Sequence, residues 1–198
     1  MRRLGIAMVA LAALAGWPAL AQDKGAQGQK PAEQMMPQVQ PTPQHARLKQ
    51  LLGTWDATVE FSPAPGEPPQ VSKGTEVVRE CCGGLWVVTD FTSDMGGMPF
   101  VGHGVGGYDP DKKKYVGTWV DSMTTSLSVS EGTYDEAKKA YTSWMEAKTP
   151  DGQTVRTKVV EESPDANTRI AHFLMPGADG KDVETMKITY KRVKKSGP

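Results

Sequence analysis

Carboxylates set beside tryptophans at strand spacing are the groups in this chain best placed to do chemistry. Over Tyr115–Asp121, the alternation of an extended strand puts Gly117, Trp119 and Asp121 on one face and Val116, Thr118 and Val120 on the other. The aliphatic face suits a core, and the Trp-Asp face suits the wall of a polar cavity. Trp144 shares a face with Glu146, and Asp90 shares one with Trp86 and Val88. A carboxylate enclosed with an indole has a perturbed pKa and can act as acid, base or anchor for a polar group. On an outer face the same carboxylate would simply be hydrated, which is the commoner arrangement for charged residues.

The chain has three histidines. His45 falls at the start of a short helix. His103 lies between Gly102 and Gly104, where the missing side chains let the backbone bend or let another group approach. His172 alternates with Ile170 and Leu174, so its face is apolar. His103 and His172 also read simply as hydrogen-bonded strand histidines. His103 with a carboxylate is the one acid–base pair the sequence offers. No zinc ligands stand at a recognised spacing, and no G-x-S-x-G elbow occurs. Gly96-Gly97 and Gly102-x-Gly104-x-Gly106-Gly107 are not phosphate loops, because no Lys-Ser/Thr follows them. They read as a turn and a kinked strand. The balance leans away from an enzyme.

Cys81 and Cys82 are the only cysteines, and they are adjacent. In an extended strand they point to opposite faces. Three readings stay open: one buried and one exposed thiol, a strained vicinal disulfide, or a metal or redox pair lacking the C-x-x-C spacing.

The elements that must position these groups are strands. Runs rich in β-branched and aromatic residues recur about every ten residues after Gly53. Ten strands are expected: Trp55–Phe61, Ser72–Glu80, Leu85–Ser93, Phe100–Tyr108, Tyr115–Asp121, Ser126–Tyr134, Ala140–Ala147, Thr154–Glu162, Thr168–Leu174 and Val183–Arg192. Their connectors carry turn chemistry, as in Asp109-Pro110-Asp111 and Pro150-Asp151-Gly152. Connections this short make neighbours antiparallel. The fold class is therefore all-β, an antiparallel up-and-down barrel of about 8–10 strands whose closure removes the exposed edges. A helix over His45–Leu52, with Leu48, Leu51 and Leu52 on one face and Gly53 as its cap, precedes the barrel and could close one mouth. Met95, Met98, Met123 and Met145 are flexible fillers suited to packing or to a mouth that accepts varied ligands.

The chain before the barrel reads as a leader and a tether. Arg2 and Arg3 precede an uncharged apolar run over Leu4–Gly16, and Ala19-Leu20-Ala21 is a small-x-small cleavage signal, so residues 1–21 are expected to be a signal peptide. Residues 22–43 are expected to be a disordered Gln/Pro-rich tether, with Pro31, Pro37, Pro41 and Pro43 blocking a helix. Residues 44–193 form the barrel domain and 194–198 a tail. The protein is then periplasmic or extracellular, with no transmembrane segment in the mature chain. Lys and Arg number 23 against 23 Asp and Glu, and loss of Arg2 and Arg3 tips the balance slightly acidic. That balance argues against a nucleic-acid partner, whose phosphates call for a clustered basic face.

Gly53-x-Trp55, opening the first strand after a short helix, is similar to the signature of the lipocalin-like, or calycin, barrels. That resemblance implies that Trp55 plugs the closed end beneath a ligand cavity. Some relatives of these barrels hold haem through one strand histidine, a role for which His172 is the first candidate here and His103 the second. A longer set covers most of the domain: Leu51-Leu52-Gly53-x-Trp55, Gly83-Gly84-Leu85-Trp86, Pro99-Phe100-x-Gly102, Gly107-Tyr108-Asp109, Tyr115-x-x-x-Trp119-x-Asp121-Ser122, Asp179-Gly180-Lys181 and Met186-x-Ile188-Thr189-Tyr190. Together these resemble a widespread family of exported bacterial proteins known as a domain of unknown function, DUF1579. The resemblance implies a calycin-like barrel without an assigned activity and brings no catalytic residues.

The resulting expectation is non-covalent binding of a small apolar or amphipathic molecule inside the barrel. Trp55 closes the base, Trp86, Trp119 and Trp144 supply apolar walls, and His103, Asp121 and His172 face the ligand. The alternatives are an isomerase- or hydrolase-type enzyme using the same cavity, and a filled structural barrel.

Overall fold

The computed structural model describes residues 39–64, 67–149 and 151–194. The expected signal peptide, the tether from 22 to 38 and the tail from 195 lie outside the described residues. Within them, ten strands run as β1 (Gly53–Phe61), β2 (Gln70–Cys81), β3 (Trp86–Asp94), β4 (Pro99–Asp109), β5 (Lys114–Asp121), β6 (Ser128–Asp135), β7 (Ala140–Lys148), β8 (Thr154–Asp165), β9 (Thr168–Pro176) and β10 (Asp182–Arg192). Each pairs antiparallel with its sequence neighbour, and β1 pairs with both β2 and β10 to close the barrel. This is the expected meander, strand for strand.

Alternation explains which side chains point in. On β1, Trp55, Ala57 and Val59 are buried, while Thr54, Asp56 and Thr58 face out. Across the β1–β10 ladder, Ala57 stands opposite Tyr190 and Val59 opposite Ile188. The buried apolar cluster combines these with Val78, Val87, Phe91, Ala171 and Leu48. The core is thus lopsided, concentrated on β9, β10, β1, β2 and β3. The expectation that Val116, Thr118 and Val120 form core is corrected: Trp119 and Asp121 take the inward phase of β5, leaving Val120 43% exposed on the outer wall.

A helix, α1 (Pro43–Leu48), and a 3-10 turn (Lys49–Leu51) precede the barrel. Pro43, expected to end a disordered tether, opens α1 instead, because a first helical residue has no intrahelical use for its missing N–H. His45 seals that end: its Nδ1 accepts from the Thr42 N–H at 2.9 Å, and its own N–H donates to Thr42 O at 2.9 Å. Gly53 does not cap the helix as expected. At φ +122° it is already the first residue of β1, and a Cβ there would come within 3.0 Å of the Arg192 guanidinium. The helical segment lies across one end of the barrel, with His45 edge-on to Tyr108, Tyr115 Oη donating to Gln44 O at 3.1 Å, and Arg47 paired with Glu136 at 2.5 Å.

Candidate functional site: the barrel lumen

The barrel is not filled. Its lumen holds a cavity of about 1230 Å³ that runs from the helical segment to the opposite mouth. The cause lies in the inward positions of β4 to β7, which carry Gly104, Gly106, Gly117, Ser128, Ser130 and Ser143. Residues this short cannot reach the axis of a ten-stranded barrel. Trp119, the largest inward ring on that side, is pressed against the wall. A Cβ at Gly102 would collide with its six-membered ring, and one at Gly104 would sit 3.1 Å from Cε3. Glycine at these two positions lets the indole lie along β4 instead of crossing the lumen. Facing it are Val59, Phe91, Phe173, Met186 and Ile188, so the cavity wall is mostly apolar.

The helical end carries a polar cluster. Trp55, 1% exposed, donates its Nε1–H to Leu51 O at 2.8 Å. The Arg192 guanidinium lies over its ring at 3.9 Å and Arg169 at 4.3 Å. Arg192 also donates to the Leu52, Gln50 and Ala166 carbonyls at 2.5, 2.7 and 3.1 Å, tying the 3-10 turn and the β8–β9 turn to the barrel end. Arg169, 5% exposed, is further covered by the Tyr190 ring at 4.4 Å. Its Nη2 pairs with Glu76, which is also buried, and its Nη1 lies 3.6 Å from Glu161; Nε has no partner.

The energetics of this cluster follow from burial. Desolvation pushes the Glu76 carboxyl above its ordinary pKa, and Arg169 offsets only part of that. Burial also works against the Arg169 charge, but Glu161 and Glu76 together hold its pKa above the usual arginine value. Tyr141, on the lumen wall, is pushed up to about 12 by burial, so it stays an O–H donor at neutral pH. The mouth is simpler. Asp121 accepts from Trp119 Nε1 at 3.1 Å and from the Met123 and Thr124 N–H groups at 2.9 and 3.1 Å, so its carboxylate fixes both the indole and the β5–β6 loop. Met95 and Met145 line the cavity, whereas Met98 and Met123 are exposed.

Of the seven expected ligand-facing residues, Trp55, Trp119 and Asp121 line the lumen. The other four point outward, and strand phase is the reason in each case. On β4 the inward positions belong to Gly102, Gly104 and Gly106, so His103 faces water, 58% exposed, with Nδ1 2.5 Å from Asp90. Desolvation opposes it, but hydrogen bonds from His103 and Arg79 pull the Asp90 carboxyl below its ordinary value. On β9, Arg169, Ala171 and Phe173 point in, so His172 points out, 2.5 Å from Glu184. Trp144 lies on the outer face of β7 beneath the Arg156 guanidinium at 4.3 Å, alternating with the inward Ser143 and Met145. Trp86 packs outside on Gly107, its register partner.

These placements bear on two expectations. An acid–base pair of His103 and a carboxylate exists, but on the outer wall and not in the cavity. A haem ligated through His172 or His103 does not fit the lumen, because neither ring faces it. Sequence reasoning also missed Glu76, Arg169 and Glu161. The faint signal is that Glu76 alternates with Val78, and Arg169 with Ala171 and Phe173, so each charge sits in an otherwise apolar phase.

Among known structures, the fold is similar to that of Rv2717c from M. tuberculosis, with a TM-score of 0.55 at 12% identity over 77% of this chain and 99% of that one. It is also similar to the S-type phycobiliprotein lyase CPES from Guillardia theta, with a TM-score of 0.54 at 11% identity over 76% of this chain and 93% of that one. At such identities the likeness is one of fold alone. No curated protein matches the chain. The family profile described as "Protein of unknown function (DUF1579)" matches residues 40–192, the whole barrel with its helical end, and the chain belongs to that family.

Proposed function

We propose that the barrel binds a small, partly apolar molecule non-covalently in its lumen. The observation that carries this reading is the cavity of about 1230 Å³ with mostly apolar walls and a few fixed polar groups. Ligand pockets have that composition: an apolar surface supplies affinity through burial, and sparse polar groups set orientation. Trp119 and Phe91 offer aromatic surface, Tyr141 a hydroxyl donor, and Glu161 a half-buried acceptor. A chain that kept the barrel for mechanical reasons alone would gain several kcal/mol by filling such a space. From the leader-like residues 1–21 we further propose that the protein acts outside the cytoplasm after cleavage following Ala21, which N-terminal sequencing of the exported protein would test.

The test is titration of the full chain with N-phenyl-1-naphthylamine, a neutral apolar fluorophore, reading probe emission and tryptophan quenching together. Ala147 lines the cavity on β7, so Ala147→Trp blocks the lumen without touching the buried polar cluster. Saturable binding in the natural protein, weakened at least tenfold in the variant, supports the reading. Absence of saturable binding, or binding that Ala147→Trp leaves intact, defeats it.

A further inference from the structure

The two adjacent cysteines are not arranged as a strand would arrange them. Cys81 ends β2 in extended backbone, with φ −136° and ψ 157°. Cys82 then turns left-handed at φ +54°, followed by Gly83 at +69° and Gly84 at +85°. Non-glycine residues rarely adopt that conformation. Its effect is to swing the Cys82 side chain back beside that of Cys81, so that the two Sγ atoms lie 2.9 Å apart. The expectation of one thiol on each face is therefore corrected. Cys82 is exposed and Cys81 half-buried, so the pair is open to a reagent in solution. Among the described residues, no group of three or more His, Cys, Asp or Glu side chains is gathered as a metal site, which leaves the metal reading without a ligand set.

We propose that Cys81 and Cys82 form a two-electron redox site that closes into a vicinal disulfide when it meets a small disulfide oxidant. The Cys82 thiolate, the more exposed, attacks one sulphur of the oxidant, forming a mixed disulfide and expelling one thiolate. The Cys81 thiolate, already in contact, attacks Cys82 Sγ, forming the Cys81–Cys82 bond and expelling the second thiolate. The two expelled thiolates take up the two protons that the cysteines lose, so one oxidant disulfide is reduced to two thiols as the protein dithiol is oxidised. The sulphurs need to approach from 2.9 Å to the roughly 2.05 Å of a disulfide bond.

Cα atoms across one trans peptide lie about 3.8 Å apart, below the usual disulfide span of roughly 4.4–6.8 Å. Such a bond is strained and reopens more readily than one across a long loop, so the site is reversible. It is also placed to be felt at the barrel end. The preceding Glu80 contacts Lys49 of the 3-10 turn at 4.0 Å, and its carboxylate flanks the Gly84 position. The half-buried partner next to an exposed thiol explains why two cysteines are needed: the first captures the oxidant, and the second releases it.

The experiment equilibrates the reduced full chain with glutathione disulfide, removes it, denatures the protein, alkylates with iodoacetamide and weighs the chain intact. The expected product is a monomer lighter by two hydrogens with neither cysteine alkylated, and dithiothreitol restores two alkylation sites. Two alkylated cysteines, a lasting glutathione adduct on the natural protein, or a disulfide-linked dimer would each overturn the proposal. The Cys81→Ser variant, shown by circular dichroism to be folded, is expected to retain one glutathione on Cys82. If it stays unmodified, Cys82 is not the entry point and the proposal fails. Ligand binding plays no part in this readout.

Discussion

Replacing Arg169 with methionine tests whether the buried polar cluster is understood. Its side chain is 6% exposed and that of Glu76 9%, so water and salt screen the pair little. Removing one partner of a buried pair leaves the other charge uncompensated, at a cost of about 3–5 kcal/mol. For a domain of this size, that lowers Tm by about 6–20 °C. The pH dependence gives a sharper signature. Burial already raises the folded-state pKa of Glu76 above its unfolded value. A raised folded pKa contributes stability that is fully present below the unfolded pKa and lost as pH rises through the folded one. Without Arg169, the carboxyl is raised further, so Arg169→Met is expected to cost least at acidic pH, where Glu76 is protonated, and most near pH 8. Urea unfolding under both conditions measures the difference. Pairing Arg169→Met with Glu76→Leu removes both charges and fills similar volume, while Glu161 keeps access to water. The double variant is expected to recover most of the loss. A single variant that costs less than 1 kcal/mol at pH 8, or a double variant worse than the single, would refute the reasoning.

Gly102→Val places a branched side chain where the Trp119 ring now lies, and it is expected to swing the indole into the lumen and weaken binding of the naphthylamine probe at least tenfold, read by fluorescence titration. His103→Ala and His172→Ala alter exposed outer-wall pairs, so each is expected to change stability by less than about 0.5 kcal/mol in thermal melts and to leave probe binding unchanged.

The strands were legible because each carries its own alternation and is bounded by its own turn residues; Asp109-Pro110-Asp111 and Gly177-Ala178-Asp179-Gly180 stop their strands without help from elsewhere. The site was legible only in part, because parity is a property of the closed barrel and not of a single strand. On β5 the grouping of Trp119 with Asp121 as a cavity wall holds, but the core expected of Val116, Thr118 and Val120 does not, because a closed barrel gives each strand one inward face. Phase on β4 could not be read. In sequence its glycines read as a kink beside His103, whereas in the barrel they are the inward face that receives the Trp119 ring from the neighbouring strand. His172 misled in the opposite way. Ile170 and Leu174 made its face look like core, but that face is the outer wall, and the charged Arg169 holds the inner one. A buried arginine contradicts every single-strand rule, and its justification lies 93 positions away at Glu76.

The lopsided core explains how the barrel can stay both hollow and stable. Burial of Trp55, Val78, Phe91, Ile188 and Tyr190 concentrates apolar packing on β9 to β3, where the barrel's first and last strands are laced together through the β1–β10 ladder. Arg192 ties the helical segment to that half by two carbonyl hydrogen bonds, to Gln50 and Leu52, and the β8–β9 turn by a third, to Ala166. In the opposite half, β4 to β7, Gly104, Gly106, Gly117, Ser128, Ser130 and Ser143 leave space beside the Trp119, Tyr115 and Tyr141 rings, and continuity rests on backbone ladders that need no side chains. Stability and lumen shape therefore reside in different strands. Substitutions of Ser128, Ser130 or Ser143 can reshape the cavity while the packed half holds the fold, whereas loss of Trp55 removes the anchor of that half, at about 3–5 kcal/mol. A wall of glycine and serine on one side and a dense core on the other is what a barrel needs if its contents are to change while its frame does not.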